Sequence, residues 1–378
     1  MANIFQRLLG LGDSQNEQRA AASSIRTAPT RLAYETNTTV VNESSALSLS
    51  SVYRAVQILA TPISKMDLGT VRYIAATGEE QKIANPLLVN SPSLRDTRRD
   101  FMYQTVVSLA TTGEAFWIKR LNAAGNVNAL QIVPTKNVKI NEDLRTGVLT
   151  YSYTTGLYPN TVVEEVPSSQ MEHLKLFSIP GELHGFGPIQ LCKDDVAGAL
   201  DLRSYASNWF ASAGVPTGVL TSNSMLTADQ ADEITARWHE KQSNRQVAVL
   251  GNGFNYDPVA LSPKEALFTD VQNQSVQQIA RMFGIPARLL LTGVDGTSDT
   301  YTNLSDENQV FYRHTLMAYL DAIEDALSNC LPRGTRVKFD YEGLFKADTS
   351  QRYANYAIGI SSGFLGTDEV RMKEGLDG

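Results

Sequence analysis

The sequence predicts an α+β protein, and three observations lead to that prediction. The first 180 residues alternate short apolar runs with turn residues, which is typical of hairpins and mixed sheets. Two long helical stretches, residues 186–213 and 263–283, enclose a small unit with strand and helix signals of its own. The rest of the chain is mostly helical.

The composition is that of an ordinary globular protein. The chain has 378 residues, 42% hydrophobic and 19% charged, which allows two or three domains with a substantial core. Its net charge of −7 argues against a protein that coats itself with nucleic acid, because phosphate binding needs a cationic face. Cys192 and Cys330 are expected to be buried free thiols.

The sequence shows no membrane or export signal. No run approaches the ~20 apolar residues of a membrane span. The amphipathic start, "MANIFQRLLGLGD", is too short and too weakly basic for a signal peptide, so synthesis in the cytosol is expected.

The first elements are an arm and a helix. Residues 1–45 are predicted to form a mobile arm, since residues 13–45 are rich in small polar side chains. A helix follows, and Pro62 is expected to kink or end it. Its apolar face consists of Val52, Val56, Leu59, Ile63 and Met66.

Residues 46–185 are predicted to form one mixed domain. A first hairpin turns at "ATGEE" and a second at "NAAG". Between them lies a helix with Thr97 as its N-cap and Gly113 as its C-cap. More short strands extend to about residue 180.

The second half is predicted to be built around long helices. In chain order it contains a helix over 186–214, a small α/β unit over 215–262, a helix over 263–284, a proline turn and polar loop over 285–303, a long helix and strand over 304–346, and helices over 347–378.

No catalytic or metal site is predicted. The four histidines show no metal-ligand spacing, and no zinc-protease pair, phosphate-binding loop or serine elbow is present. His173 lies between apolar strand residues and is expected to be a structural histidine with satisfied hydrogen bonds. The sequence therefore predicts neither an enzyme nor a bound cofactor.

Residues 276–291, "VQQIARMFGIPARLLL", leave one alternative function open. Their rhythm is that of a helix-turn-helix DNA-binding regulator. A recognition helix would present polar side chains to the bases, whereas Leu289, Leu290 and Leu291 are apolar. The better interpretation is a long helix that ends at residues 283–284, followed by a buried proline turn and an exposed loop.

The order of these elements resembles that of the portal proteins of tailed bacteriophages, in the family typical of siphophages. The resemblance covers residues 47–378, and five motifs in the expected order make it specific. They are "SSVYRAVQILATPISKMDLGTV", "NPLLVNSPSLRDTRRDFMYQTVVSLATTGEAFWIKR", "GFGPIQLCKDDVAGALDLRSYASNWFASAGVPTGVL", "VQQIARMFGIPARLLL" and "KADTSQRYANYAIGISSGFLGTDEVRMKEGL".

The resemblance implies a fold with named parts. An α/β wing would comprise residues 46–185 and 304–346, including a long kinked helix that follows the tunnel loop. Stem helices would comprise 186–214 and 263–284, and they would flank a small α/β clip over 215–262. A helical crown would comprise 347–378.

The resemblance also implies a function. A portal is a twelve-subunit ring at one capsid vertex, through which terminase packages double-stranded DNA and from which the DNA is ejected into the tail. The expected partners are further copies of this chain, the major capsid protein, the terminase large subunit, the head–tail adaptor and DNA passing without sequence specificity. The expected location is the virion, after synthesis in the host cytoplasm, with no membrane contact.

Three sets of residues follow from that assignment. The DNA-channel loop, with two acids and no cation, is Gly293, Val294, Asp295, Thr297, Ser298, Asp299 and Tyr301. The clip contact for partners is Arg237, Trp238, Glu240 and Lys241. The stem–stem packing residues are Val196, Leu200, Tyr205, Trp209, Phe210, Val276 and Ile279. From the pattern alone, an ordinary solvated loop, a solvated helix face and a single buried core helix remain the respective alternatives.

Overall fold

The computed structural model describes residues 25–27, 40–74, 78–156, 161–210, 219–222, 254–257, 268–290, 309–341 and 349–374, and positions 227, 229–230, 232–234, 236, 238 and 376. Its strands are β1 (Ile25–Thr27), β2 (Leu68–Ile74), β3 (Glu79–Ile83), β4 (Glu114–Leu121), β5 (Val127–Val133), β6 (Val138–Asp143), β7 (Leu149–Thr155), β8 (Val162–Pro167), β9 (Met171–Lys175), β10 (Val219–Ser222), β11 (Phe254–Asp257) and β12 (Thr335–Phe339). Its helices are α1 (Glu43–Leu47), α2 (Ser50–Lys65), α3 (Leu87–Asn90), α4 (Arg98–Thr112), α5 (Pro188–Leu191), α6 (Lys193–Phe210), α7 (Phe268–Phe283), α8 (Met317–Asn329), α9 (Thr349–Ser361) and α10 (Thr367–Lys373).

The described strands form antiparallel sheets, and the α+β prediction is confirmed. The sheet orders are β12-β2-β3, β5-β4-β9, β1-β6-β7-β8 and β10-β11. Both predicted hairpins are present, as the pairs β2–β3 and β4–β5. Strand β12 pairs along β2, with Phe339 opposite Leu68, so the chain returns to the first sheet after its long helices.

Helix α2 is amphipathic in the predicted way. Val52, Val56, Leu59 and Ile63 are buried. Pro62 neither ends nor breaks the helix, which continues to Lys65. The missing N–H of Pro62 removes one helical hydrogen bond near the end of the helix, where the loss is small.

Helix α4 begins and ends at the predicted caps. The Thr97 hydroxyl accepts a hydrogen bond from the Asp100 N–H at 3.1 Å. Gly113 adopts a left-handed conformation with φ of 79°, which an L-residue rarely adopts. Local sequence therefore determines both ends of this helix.

The segment predicted to be a mobile arm contains structure at two places. Strand β1 pairs antiparallel with β6, with Ile25 opposite Asp143. Helix α1 starts at Glu43, and its N-cap is Asn42, whose side chain accepts from the Ser45 N–H. At these residues the prediction of a free arm does not hold, because hydrogen bonds to a sheet and a cap secure the backbone.

The predicted helix over 186–214 is interrupted. Helix α5 begins at Pro188, and Cys192 follows it with φ −104° and ψ 36°, outside the helical range. Helix α6 then runs from Lys193 to Phe210. The apolar pattern continues across the break, so the sequence did not indicate it.

Three further irregularities follow α7. Gly284 is left-handed with φ of 65°, and residues 287–290 form a short 3-10 helix. A π-helical turn, Tyr312–Leu316, precedes α8. Such turns are rare and interrupt the regular α-helical ladder.

One large apolar core joins most of the helices to two sheets. It includes buried side chains of α2, α4, α6, α7 and α8, among them Leu59, Leu109, Leu200, Phe283 and Leu320. A second, smaller core lies between β4 and the β6–β7 strands and contains Phe116, Ile140 and Tyr153. The start of α6 is therefore anchored in the main core.

Candidate channel and assembly surfaces

Helices α6 and α7 contact each other, and three of the residues predicted for stem packing are buried in the core that both helices share. Val196 and Leu200 on α6 and Ile279 on α7 are buried in the main core. Val276 is half-buried against the same core. These contacts lie within one chain, so they account for how the two helices are held side by side.

Helix α6 also carries an aromatic residue away from that core. Tyr205 is 51% exposed, although Val196 and Leu200 earlier in the helix are buried. Trp209 and Phe210 belong to the same helix, but their side chains lie outside the described part of the structure. The described part of α6 therefore has a buried side and an exposed aromatic side.

The exposed surface of α7 consists mainly of uncharged polar groups. Gln272, Asn273 and Gln274 are exposed, and Val271 beside them is 45% exposed. Asp270 and Arg281 are the charged residues between positions 268 and 283. Neutral amides neither attract nor repel a phosphate backbone strongly, in contrast to a lysine- or arginine-rich face.

The other predicted site residues lie largely outside the described ranges. All seven residues of the predicted DNA-channel loop fall within 291–308, which the structure does not describe. Arg237, Glu240 and Lys241 of the predicted clip contact also lie outside the described residues. Trp238 is described as helical and half-buried. The nearby strands β10 and β11 pair with each other, so the small unit contains both strand and helix.

The geometry after α7 does not support the helix-turn-helix alternative. Between Gly284 and residue 290, the last residue described before 309, the chain forms a four-residue 3-10 helix over 287–290. Ile285 and Leu290 are buried there, so they face the core. A recognition helix presents exposed polar side chains to the base edges.

A buried ionic cluster lies where the chain approaches α5, and the sequence did not point to it. Glu114, the first residue of β4, is 2% exposed. Its carboxylate lies 2.9 Å from His173 Nε2 and 3.0 Å from His184 Nδ1, and it accepts the Gly185 N–H at 2.8 Å. The structural role predicted for His173 therefore has a concrete partner.

The electrostatics of this cluster favour an ionised carboxylate. Burial alone raises the pKa of Glu114, but hydrogen bonds from His173 and His184 outweigh burial and bring the pKa down to about 2. Burial is the main reason that the pKa of His173 lies below its usual value. No nucleophile belongs to the cluster, and within the described ranges no group of acids, histidines and cysteines could hold a metal ion.

No helix in the described ranges is long and apolar enough to cross a membrane.

Comparison with known proteins places these features in a family. The profile of the phage portal protein family matches residues 50–375. A probable portal protein of Streptomyces phage phiC31 is 26% identical over 352 residues, covering 89% of this chain and 76% of that protein. The portal protein of Enterobacteria phage HK97 is 22% identical over 349 residues, covering 89% of this chain and 80% of that protein.

Solved structures share the fold over most of the length. A chain in the neck of an empty gene transfer agent particle, computed with C6 symmetry, matches with a TM-score of 0.65 and 17% identity, covering 94% of this chain and 97% of that one. An HK97-family phage portal protein from Corynebacterium diphtheriae matches with a TM-score of 0.58 and 17% identity, covering 83% and 99%. The family profile spans most of the sequence, so this chain belongs to the phage portal protein family, and the solved structures share its fold over most of its length.

Proposed function

We propose that this chain assembles into a closed ring of twelve subunits, which forms the head–tail connector of a tailed-phage particle. The family match over residues 50–375 is the observation that carries the proposal. It is supported by the likeness to chains in gene transfer agent necks, one of which was computed with C12 symmetry and matches with a TM-score of 0.61.

The paired helices suit a ring. In a ring, each subunit meets its two neighbours through different surfaces, so a helix at the wall needs contacts beyond its own core. Helix α6 buries Val196 and Leu200 within the chain and leaves Tyr205 exposed. That aromatic side is the part of α6 that we assign to the neighbouring subunit.

The charge distribution suits a channel through which DNA passes. The chain has a net charge of −7, and the exposed side of α7 offers mainly neutral amides. The predicted loop adds Asp295 and Asp299 without any lysine or arginine. Such a lining touches DNA without holding its phosphates, so we propose passage without sequence specificity.

The remaining partners follow from the proposed position. The wing would contact the major capsid protein, and the clip would bind the terminase large subunit and later the head–tail adaptor. We place the clip contact at Arg237, Trp238, Glu240 and Lys241. The ring would function in the virion after synthesis in the host cytoplasm, and the role would be structural, without catalysis.

Electron microscopy of the purified full chain tests the ring. We expect particles with a central hole wide enough for a DNA duplex, and a mass by light scattering roughly twelve times the 41.4 kDa of one chain. A monomer at every concentration, or a compact assembly without a hole, would contradict the proposal. A gel-shift experiment in which the protein binds one DNA sequence more tightly than another would instead favour the alternative of a helix-turn-helix DNA-binding regulator.

The clip assignment has its own test. Reversing the charges of Arg237 and Lys241 together is expected to weaken binding to terminase and adaptor while rings still form. Lys136→Glu with Lys139→Glu, which reverses two charges at exposed positions, is the matched charge control. Unchanged partner binding by the double variant would show that the clip contact lies elsewhere.

A further inference from the structure

The carboxylate of Glu114 forms hydrogen bonds with residues that are distant in the sequence. His173 is 59 residues away and His184 is 70 residues away. The Gly185 N–H is the third donor. Because His184 and Gly185 belong to the loop that leads into α5, one buried side chain connects the wing sheet to the start of the stem.

The two backbones are in direct contact at the same place. A Cβ added to Gly113 would lie 2.0 Å from the carbonyl carbon of Phe186. A Cβ on Gly187 would lie 2.6 Å from the carbonyl carbon of Thr112. Side chains of ordinary size therefore cannot fit between the end of α4 and the loop before α5, and the three glycines at 113, 185 and 187 allow the approach.

Neighbouring side chains pack against the cluster and hydrogen-bond to it. The His173 ring stacks on Phe116 with centroids 4.3 Å apart. The Ser108 and Thr112 hydroxyls donate to the backbone carbonyl of Glu114 at 3.0 and 2.9 Å. In the described part of the chain, His184 Nε2 is buried and has no hydrogen-bond partner. Nδ1 is the ring nitrogen that faces the carboxylate, so His184 can donate to Glu114 from Nδ1.

Other charged and titratable groups face the cluster from the neighbouring strands. Lys175 lies opposite Glu114 in the β4–β9 pair, and burial is the main cause that lowers the pKa of Lys175. Tyr151 on β7 meets His173 edge to face, and burial raises its pKa to about 12. Lys119 and Glu172 form an ion pair at 2.6 Å on the same two strands. The charge on Glu114 is therefore balanced locally by hydrogen bonds and by one nearby lysine.

We propose that Glu114 is a positioning residue, which fixes the start of the stem against the wing by sharing its carboxylate among His173, His184 and the Gly185 amide. The inference rests on the proposed function, because it takes α5 and α6 as the stem of a DNA channel. A joint of this kind keeps the stem at one angle to the wing while DNA moves past it. Removing the charge or one donor loosens the joint and leaves the wing folded.

Cys192 provides a native probe of the joint. It lies between α5 and α6 and is half-buried, whereas Cys330 is buried in the main core. Mass spectrometry of the full chain after timed labelling with a thiol reagent gives a separate rate for each cysteine. In Glu114→Gln we expect the Cys192 rate to rise about tenfold or more, because a lost hydrogen bond to a charged group shifts local opening by at least that factor. The Cys330 rate should rise by a smaller factor than the Cys192 rate.

Thr105→Val is the matched control. The Thr105 hydroxyl accepts the Trp117 indole N–H at 3.1 Å in the core, and it makes no hydrogen bond to Glu114, His173 or His184. This variant removes a hydrogen bond in the wing that is as buried as those of Glu114. It should therefore lower the melting temperature without accelerating labelling at Cys192. Equal acceleration in both variants would overturn the proposal.

A pair of variants at His184 keeps the test decisive if Glu114→Gln folds poorly. His184→Asn places an amide N–H near the position of Nδ1, so labelling at Cys192 should remain close to that of the wild type. His184→Ala removes the donor, so labelling should accelerate. If the two variants label alike, the hydrogen bond to Glu114 does not position the stem.

The outcome is separable from that of the proposed function. Labelling rates are measured on whatever assembly the protein forms, so they decide the joint even if no ring is seen. Conversely, if Glu114→Gln forms rings and its Cys192 labelling rate is unchanged, the proposed connector function is supported and the positioning role of Glu114 is contradicted.

Discussion

Glu114 keeps a negative charge inside the protein because three donors surround it. Lowering its pKa from 4.5 to about 2 corresponds to about 3 kcal/mol in favour of the folded state at neutral pH. The unfolded chain takes up the proton first as the pH falls below 4.5. This contribution is therefore complete above that pH and is lost toward pH 2.

The pH range over which ionised Glu114 stabilises the folded state gives the first prediction. Glu114→Gln should lower the stability of the protein at neutral pH, and the difference from wild type should shrink as the pH falls from 4.5 toward 2. Thermal unfolding followed by circular dichroism across this range checks it. Glu165→Gln, at an exposed position of β8, is the control and should show little difference at any pH. A gap that stays constant down to pH 2 would mean that the charge of Glu114 is not the cause.

Gly187 gives a second prediction about a single position. Gly187→Ala should destabilise the protein strongly, because its Cβ would lie 2.6 Å from backbone atoms of α4 that cannot move aside. Gly198→Ala is the matched control, since nothing lies within 4 Å of its Cβ position in α6. Alanine there should be neutral or stabilise the helix by up to ~1 kcal/mol. Similar melting temperatures for the two variants would contradict the close approach.

Helix α6 has two sides with different tasks. Its buried side packs into the main core with α7, and its exposed side carries Tyr205. A helix that served only as a core helix would not need an aromatic residue facing outward near its end, although a single exposed aromatic is common on protein surfaces. A variant can separate these two possibilities.

Tyr205→Asp should prevent ring formation and leave the melting of the subunit nearly unchanged. The reason is that a charge would be buried without a partner only when the neighbouring subunit covers it. Light scattering measures the assembly. Tyr53→Asp, on α2, is the control at similar exposure, 57% against 51%, and it should form rings as the wild type does. Rings of normal mass in the Tyr205 variant would place the contact elsewhere on the helix.

The local elements were predictable from local patterns. Thr97, Gly113 and the two hairpins lie where the sequence indicated them, because caps and tight turns depend on a few adjacent residues. The break at Cys192 and the strand at residues 25–27 were not predictable. Both depend on what the backbone meets in space, and the flanking residues do not show it.

For the assembled particle, charge is the property that matters most. In the proposed ring, the predicted channel loop of each chain carries Asp295 and Asp299 and no lysine or arginine, so we expect an acidic lining at that loop. DNA in such a channel is repelled weakly from all sides. Few contacts between protein and phosphate therefore have to break as the DNA moves along the channel.

Replacing Asp295 and Asp299 with lysine should therefore make the ring retain DNA. We expect stronger binding to duplex DNA that weakens steeply with salt, because new phosphate contacts release counterions. A filter-binding assay over a range of salt concentrations measures this. Glu165→Lys with Asp368→Lys adds the same charge at exposed positions outside the loop. Equal DNA retention by both double variants would show that the loop does not reach the DNA.

By itself, the sequence determined the α+β fold class, and its motifs resemble those of the portal family. The fold class follows from apolar periodicity and caps, which are properties of neighbouring residues. The sequence did not reveal the joint at Glu114, although His173 was recognised as a structural histidine. Only the tertiary structure shows that cluster. His173 and His184 lie 59 and 70 residues after Glu114, and the three side chains meet only once β4, β9 and the loop before α5 have packed together.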